Sequence, residues 1–244
     1  MREIGARVAV LTGLVAGFTR RAVEAARETE VRGAAGLQVF PPPAFLGRPL
    51  DPELAVVYHE AIAEATALPL IVYRPPLGLG YGFDATVLAR VVEVPAAAAV
   101  KESSLDRAGY AETLKLLGLE RSRVKLLSGA DTFVLEPLRL GADGAMLALA
   151  TVAPGRWVEL LRLHRGGLDE DADEAAARLA PLVASIFVPP FRDFRARLKE
   201  ALVLLGELAS AAVRPPLLPL DAADRERGAL VREAALFVPA RPAE

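Results

Sequence analysis

The feature that most constrains this chain is a regular alternation of short apolar runs with helical stretches, beginning at residue 7. Arg7–Thr12 (RVAVLT), Gly36–Phe40 (GLQVF), Leu68–Tyr73 (LPLIVY), Ala96–Lys101 (AAAAVK), Val124–Ser128 and Gly144–Leu149 read as strands, spaced about 25 to 30 residues apart. Between them, Thr19 is placed to cap a helix over Arg20–Val31, and Leu50-Asp51-Pro52 opens a helix running to about Ala67. Further helices are expected over Ala85–Val92 and Ala108–Leu117, and one more before Gly144. The strands are apolar along their length, the pattern of a parallel sheet covered on both faces. Parallel neighbours joined through helices make right-handed βα crossovers. At this level an open doubly wound sheet and a closed barrel remain equally compatible. After about residue 165 the pattern changes to segments 169–188, 192–208 and 221–236 that look helical, separated by Val188-Pro189-Pro190 and the run Arg214–Leu220. The expected organisation is therefore a βα domain over residues 1–165 and a helical domain over 166–244.

Composition narrows the function classes. Hydrophobic residues make up 53% and charged residues 25%, enough apolar material for a large core. A net charge of −2 with both signs interspersed leaves no electrostatic footprint for nucleic acid. No apolar run reaches membrane-spanning length, and the first residues lack the layout of a signal peptide. The chain has no cysteine, so disulfides, thiolate metal sites and a cysteine nucleophile are excluded, and a cytoplasmic location is expected. Of 29 basic residues only Lys101, Lys115, Lys125 and Lys199 are lysines, so one behind an apolar run stands out.

That one is Lys101, which ends AAAAVK; Tyr73 ends LPLIVY 28 residues earlier. The gap is one βα unit, which makes the two strands neighbours about 4.8 Å apart. Both side chains then lie at the C-terminal ends of parallel strands, where barrels and doubly wound sheets carry their active sites. Partial desolvation favours the neutral amine, the form that attacks a carbonyl. A phenol beside it can move the protons that such an attack requires. The plainer reading has the lysine extending into solvent and the tyrosine capping a core.

The segment VKESSLD (Val100–Asp106), with Val72-Tyr73 upstream and LSGADTFVLEPLRLGADGAM (Leu127–Met146) downstream, resembles the dihydrodipicolinate synthase / N-acetylneuraminate lyase family. LKEALVLLG (Leu198–Gly206) followed by VRPPLLPL is similar to the family's helical tail, and the likeness runs from about residue 6 to 235. The resemblance implies a (β/α)₈ TIM barrel with a C-terminal helical domain, here with about six βα units and without the first two. It implies a class I aldolase or dehydratase in which Lys101 forms a Schiff base with pyruvate or another 2-oxo acid and Tyr73 relays protons. Gly129 and Met146 fall where the family lines the pocket around the bound acid, largely through backbone. No metal or other cofactor is implied, and the expected assembly is a dimer or tetramer.

The pattern is broken in three places. The family's Gly-Thr-Thr-Gly-Glu motif, which holds the pyruvate carboxylate, has no counterpart, and Met1–Ile4 looks like the end of the helix that follows it. Gly78 occupies the position of an arginine that binds the acidic aldehyde in lysine biosynthesis, and strand alternation points Arg74 away from Tyr73. Pro41-Pro42-Pro43-Ala44-Phe45 replaces a loop that normally donates a tyrosine across a dimer interface. The expectation is thus a lyase of this family with another aldehyde or a sugar-derived 2-oxo acid as substrate. The alternative is a relative impaired in catalysis that serves as a ligand-binding or assembly protein. His59 and His164 read as structural, GLGYG (Gly78–Gly82) as a flexible loop over the barrel mouth, and Phe191–Lys199 as an amphipathic helix with a solvated basic face. Asp131, after Gly129, reads either as part of the pocket or, preferentially, as the N-cap of the helix that follows that strand.

Overall fold

Parallel pairing requires each strand to find a partner register, and that requirement sets the strand ends here. The computed structural model describes residues 7–47, 49–118 and 123–225. Strands β1 (Leu11–Leu14), β2 (Gly36–Val39), β3 (Leu70–Arg74), β4 (Ala97–Glu102), β5 (Lys125–Ser128) and β6 (Gly144–Ala145) form one parallel sheet in sequence order. β1 starts four residues later than its apolar run, because β2 opens at Gly36 and that residue pairs with Leu11. β6 keeps only two residues, and Leu149–Thr151 becomes a 3-10 turn. Helices α1 (Thr19–Val31), α2 (Pro52–Ala63), α3 (Ala85–Val91) and α4 (Arg107–Leu117) fill the connections and pack against one another in sequence order.

Three of these helices start on an aspartate that satisfies an otherwise orphaned amide. Asp51 accepts from the Glu53 amide, Asp84 from Val87 and Asp106 from Gly109. Thr19 does not cap α1: it is the first helical residue, and Phe18 precedes it in extended backbone. α2 stops at Ala63, short of the expected Ala67, and the Thr66 hydroxyl accepts from the Leu68 amide in the turn that follows.

Strand alternation divides the sheet into two faces. Leu14, Leu37, Val39, Leu70, Val72, Val100, Leu126 and Ser128 are all buried on one. Gln38, Phe40, Ile71, Tyr73, Ala99, Lys101 and Leu127 share the other, where Phe40, Tyr73, Lys101 and Leu127 keep partial exposure. The uniformly apolar strands thus carry one sealed face and one that holds the chemistry-bearing side chains.

His59 of α2 is fully buried, with Nδ1 donating to the Ala55 carbonyl at 2.7 Å and the ring edge-on to Tyr58 and Phe83. Burial pushes its pKa down to about 4. Because the folded pKa lies below the unfolded value of about 6.5, this group's contribution is complete above pH 6.5 and is lost as pH falls towards 4. Between pH 7 and 4 the wild type should lose about 3 kcal/mol relative to His59→Phe. Urea unfolding at both pH values measures the difference, and equal pH slopes would contradict it.

The chain divides into two compact units: residues up to Ala130 with Glu136–Met146, and Asp131–Leu135 with everything from Leu147 onward. α5 (Leu135–Arg139) straddles that division. In the second unit α6 (Pro154–Arg165) packs on α7 (Asp169–Ile186), and α8 (Phe194–Leu204) follows a 3-10 turn at Phe191–Asp193. The expected solvated basic face on Phe191–Lys199 is only partly so. Arg192 and Arg195 are exposed, but Arg197 is buried, paired with Asp224 and donating to the carbonyls of Ile186, Val188, Pro189 and Pro190. The part of the expected helix 221–236 beyond Arg225 lies outside the described residues. No described helix is long and apolar enough to cross a membrane.

Candidate active site

Tyr73 and Lys101 are direct register partners in β3 and β4, so both project from the same face at the C-terminal ends of adjacent strands. The Lys101 amine lies 5.2 Å from the centroid of the Tyr73 ring. Phe40, which continues β2, packs on the same ring with centroids 4.6 Å apart. The lysine is half-buried, with its amine over the Tyr73 ring.

The next residue pair, Arg74 and Glu102, faces the opposite side and is sealed there. Arg74 Nη1 donates to Glu102 Oε2 at 2.9 Å, to the Gly109 carbonyl at 3.0 Å and to Thr113 Oγ1 at 2.5 Å, and its Nε donates to the Phe83 carbonyl at 3.0 Å. Glu102 also accepts from Thr113 Oγ1 at 2.6 Å and from the Ser104 amide at 2.7 Å. Arg74 is therefore fully occupied on the sealed face, pointing away from Tyr73 as strand alternation predicts. The network ties the ends of β3 and β4 to α4, which fixes the register that sets Tyr73 beside Lys101.

One polar residue of this site escaped the sequence reading. Ser103 follows Lys101 by two positions on the same face; it is 5% exposed, and its hydroxyl has no hydrogen-bond partner. Only the Lys-Glu-Ser-Ser run could have drawn attention to it. The turn that follows passes through Leu105 at a φ of 58°, which brings Asp106 to the start of α4.

Ser103 also explains Gly129. A Cβ at Gly129 would lie 1.9 Å from Ser103 Oγ and 3.0 Å from the Glu102 carbonyl oxygen. The hydroxyl can rotate away, but the carbonyl belongs to the strand that carries Lys101. Gly129→Ala is expected to destabilise the fold by about 1–3 kcal/mol, and adding Ser103→Ala should recover only part of that. Thermal melting of the two variants tests both statements.

The Gly129 amide donates to the Glu102 carbonyl and the Met146 amide to the Ser128 carbonyl, each at 2.7 Å. Both N–H groups are committed to holding strands together, so a ligand at these positions meets carbonyls, the Met146 side chain or the bare Gly129 Cα. Asp131 Oδ1 accepts from the Leu149 amide at 2.8 Å, at the start of the 3-10 turn. The loop at Gly78–Gly82 is laced to its neighbour rather than loose. Gly47 donates to the Gly80 carbonyl, Gly82 donates to the Phe45 carbonyl, and Leu46 bridges to Tyr81. Among the described residues no three histidine or carboxylate side chains are grouped to hold a metal ion.

A sequence model of the dihydrodipicolinate synthetase family matches residues 1–234. Among curated proteins, the 4-hydroxy-tetrahydrodipicolinate synthase of Kineococcus radiotolerans is 32% identical over 234 residues, covering 96% of this chain and 72% of that protein. The protein of the same name from Moorella thermoacetica is 30% identical over 237 residues, covering 97% and 78%. Among solved structures, dihydrodipicolinate synthase from Thermotoga maritima superposes with a TM-score of 0.86 at 25% identity, covering 96% of this chain and 78% of that one.

Proposed function

Because the chain belongs to the dihydrodipicolinate synthetase family of lyases, we propose that it uses Lys101 to form a Schiff base with pyruvate or another 2-oxo acid. The Lys101 amine adds to the C2 carbonyl to give a carbinolamine, and water leaves to give the protonated imine. That iminium draws electrons from the neighbouring bond, so that a carbon–carbon bond is made or broken or a hydroxyl is lost. Tyr73 carries the proton to and from the C2 oxygen. Ser103 offers an unoccupied hydroxyl to an oxygen of the bound acid. Gly129 and Met146 shape the wall beside it. The six βα units are read as part of a (β/α)₈ barrel. Residues 1–165 act as its catalytic domain and 166–244 as a helical accessory domain, in a cytoplasmic dimer or tetramer.

The observation that supports this reading most is the register pairing of Tyr73 with Lys101, amine over ring, at the strand ends. The curated relatives are named 4-hydroxy-tetrahydrodipicolinate synthases, but Gly78 offers no charge to an acidic aldehyde, and Arg74 is bound elsewhere. A neutral aldehyde, or dehydration of a sugar-derived 2-oxo acid, suits this face better. The deciding experiment is borohydride reduction in the presence of pyruvate followed by peptide mass mapping. A pyruvyl adduct on Lys101 is expected. A folded protein that forms none would instead favour a relative that binds ligands without catalysis.

A further inference from the structure

A phenol can relay protons at the lysine only while its ring stays in place, because the hydroxyl moves with the ring. Tyr73 is half-buried at the end of its strand, where a side chain keeps several rotamers unless neighbours hold it. Phe40 is placed to do so and takes no part in the bond-making described above. It follows β2, and its amide donates to the Leu14 carbonyl at 3.0 Å, so contact with β1 carries on past Val39. The register that pairs Gln38 with Ile71 and Val39 with Val72 brings Phe40 level with Tyr73. Tyr73 is in turn the partner of Lys101. Phe40, Tyr73 and Lys101 therefore stand in a row across three adjacent strands.

The contacts run along that row. Phe40 reaches the Tyr73 ring from β2, with centroids 4.6 Å apart and planes at 53°, at the close end of the range for aromatic pairs. The Lys101 amine reaches the same ring from β4, 5.2 Å from its centroid. Phe40 is itself backed by β1, where a Cβ added to Gly13 would lie 3.3 Å from its Cε2. An aliphatic side chain would fill the same space, but a flat ring also sets the angle of the ring it packs on.

We propose that Phe40 is a positioning residue, which holds the Tyr73 ring so that its hydroxyl stays at the C2 oxygen of the acid on Lys101. The proposal rests on the Schiff-base reading, with Tyr73 as the relay. Orientation of a reacting group changes a rate. A relay serves imine formation and imine hydrolysis alike, so a residue that acts through it alters how fast the imine appears and not how much of it forms.

The test traps the pyruvate imine with borohydride at timed intervals, which gives both the rate of imine formation and the half-saturating pyruvate concentration. The samples are the wild type, Phe40→Leu, Phe40→Ala, Tyr73→Phe and the double variant Tyr73→Phe with Phe40→Ala, with circular dichroism to confirm folding. Phe40→Ala should slow imine formation about tenfold, the weight of one close aromatic contact. Its half-saturating concentration should stay at the wild-type value. Phe40→Leu, which keeps bulk without a plane, should fall between. Tyr73→Phe keeps the ring but has no hydroxyl to place, so adding Phe40→Ala to it should cause no further slowing. The proposal is overturned by an unslowed Phe40→Ala, by equal slowing in both backgrounds, or by a shift in half-saturation at an unchanged rate. Each of these leaves the Schiff base standing. If Phe40→Ala does not fold, Phe40→Leu carries the same comparison. A wild type with no adduct on Lys101 brings down both.

Discussion

Lys101→Ala is expected to form no borohydride-stable adduct with pyruvate and to lose turnover by about 10⁴- to 10⁶-fold, as when other enzymes lose their covalent nucleophile. In the proposed chemistry the amine supplies the new bond itself, so no neighbouring group takes over its part. Tyr73 has no nucleophilic nitrogen, and Arg74 is sealed on the other face of the sheet. The fold should survive, since Lys101 is half-buried at a strand end rather than part of the sealed core. A stability change within about 1 kcal/mol is expected. Lys101→Arg keeps the charge but not a neutral amine and should be equally inactive. Mass mapping and a melting curve on the same samples separate lost chemistry from lost structure. An adduct that persists at another residue would sink the assignment.

Arg74→Met should have the largest effect on stability, about 3–5 kcal/mol. It leaves the Glu102 carboxylate in a fully buried position with only the Thr113 hydroxyl and the Ser104 amide as partners. The Gly109 and Phe83 carbonyls lose a donor at the same time. Removing both charges, as Arg74→Met with Glu102→Leu, should restore much of the loss, because apolar residues of similar volume replace a buried ion pair at little cost. A double-mutant cycle by urea unfolding measures the coupling. Additive effects would mean that the pair is not the unit described here. The network also holds β3 and β4 in register. Arg74→Met should therefore slow adduct formation on Lys101 even where the protein is folded.

Much of the fold was legible in the sequence, because local forces set it. The six apolar runs, their parallel order and the helices between them follow from hydrophobic periodicity and from what parallel connections demand. Asp51-Pro52 was readable as a helix start because cap and proline act within one turn. Asp84 and Asp106 carry the same signal and went unread among neighbouring prolines, glycines and serines. The strand ends were not legible. β1 began late and β6 shrank to two residues because register with a distant partner, not local preference, decides where a ladder runs.

The same division holds at the candidate site. The sequence by itself determined the chemistry on offer: a lysine and a tyrosine, each ending an apolar strand one βα unit apart, and a glycine after Ser128. Only the tertiary structure decided how they meet. It made Tyr73 and Lys101 register partners and turned Arg74 and Glu102 to the opposite face. It committed the Gly129 and Met146 amides to the sheet, and it buried the Ser103 hydroxyl without a partner two residues beyond the lysine. The physical reason is that residue type and spacing are properties of one strand. A hydrogen-bond partner, or the lack of one, exists only once neighbouring strands are set side by side and water is excluded between them.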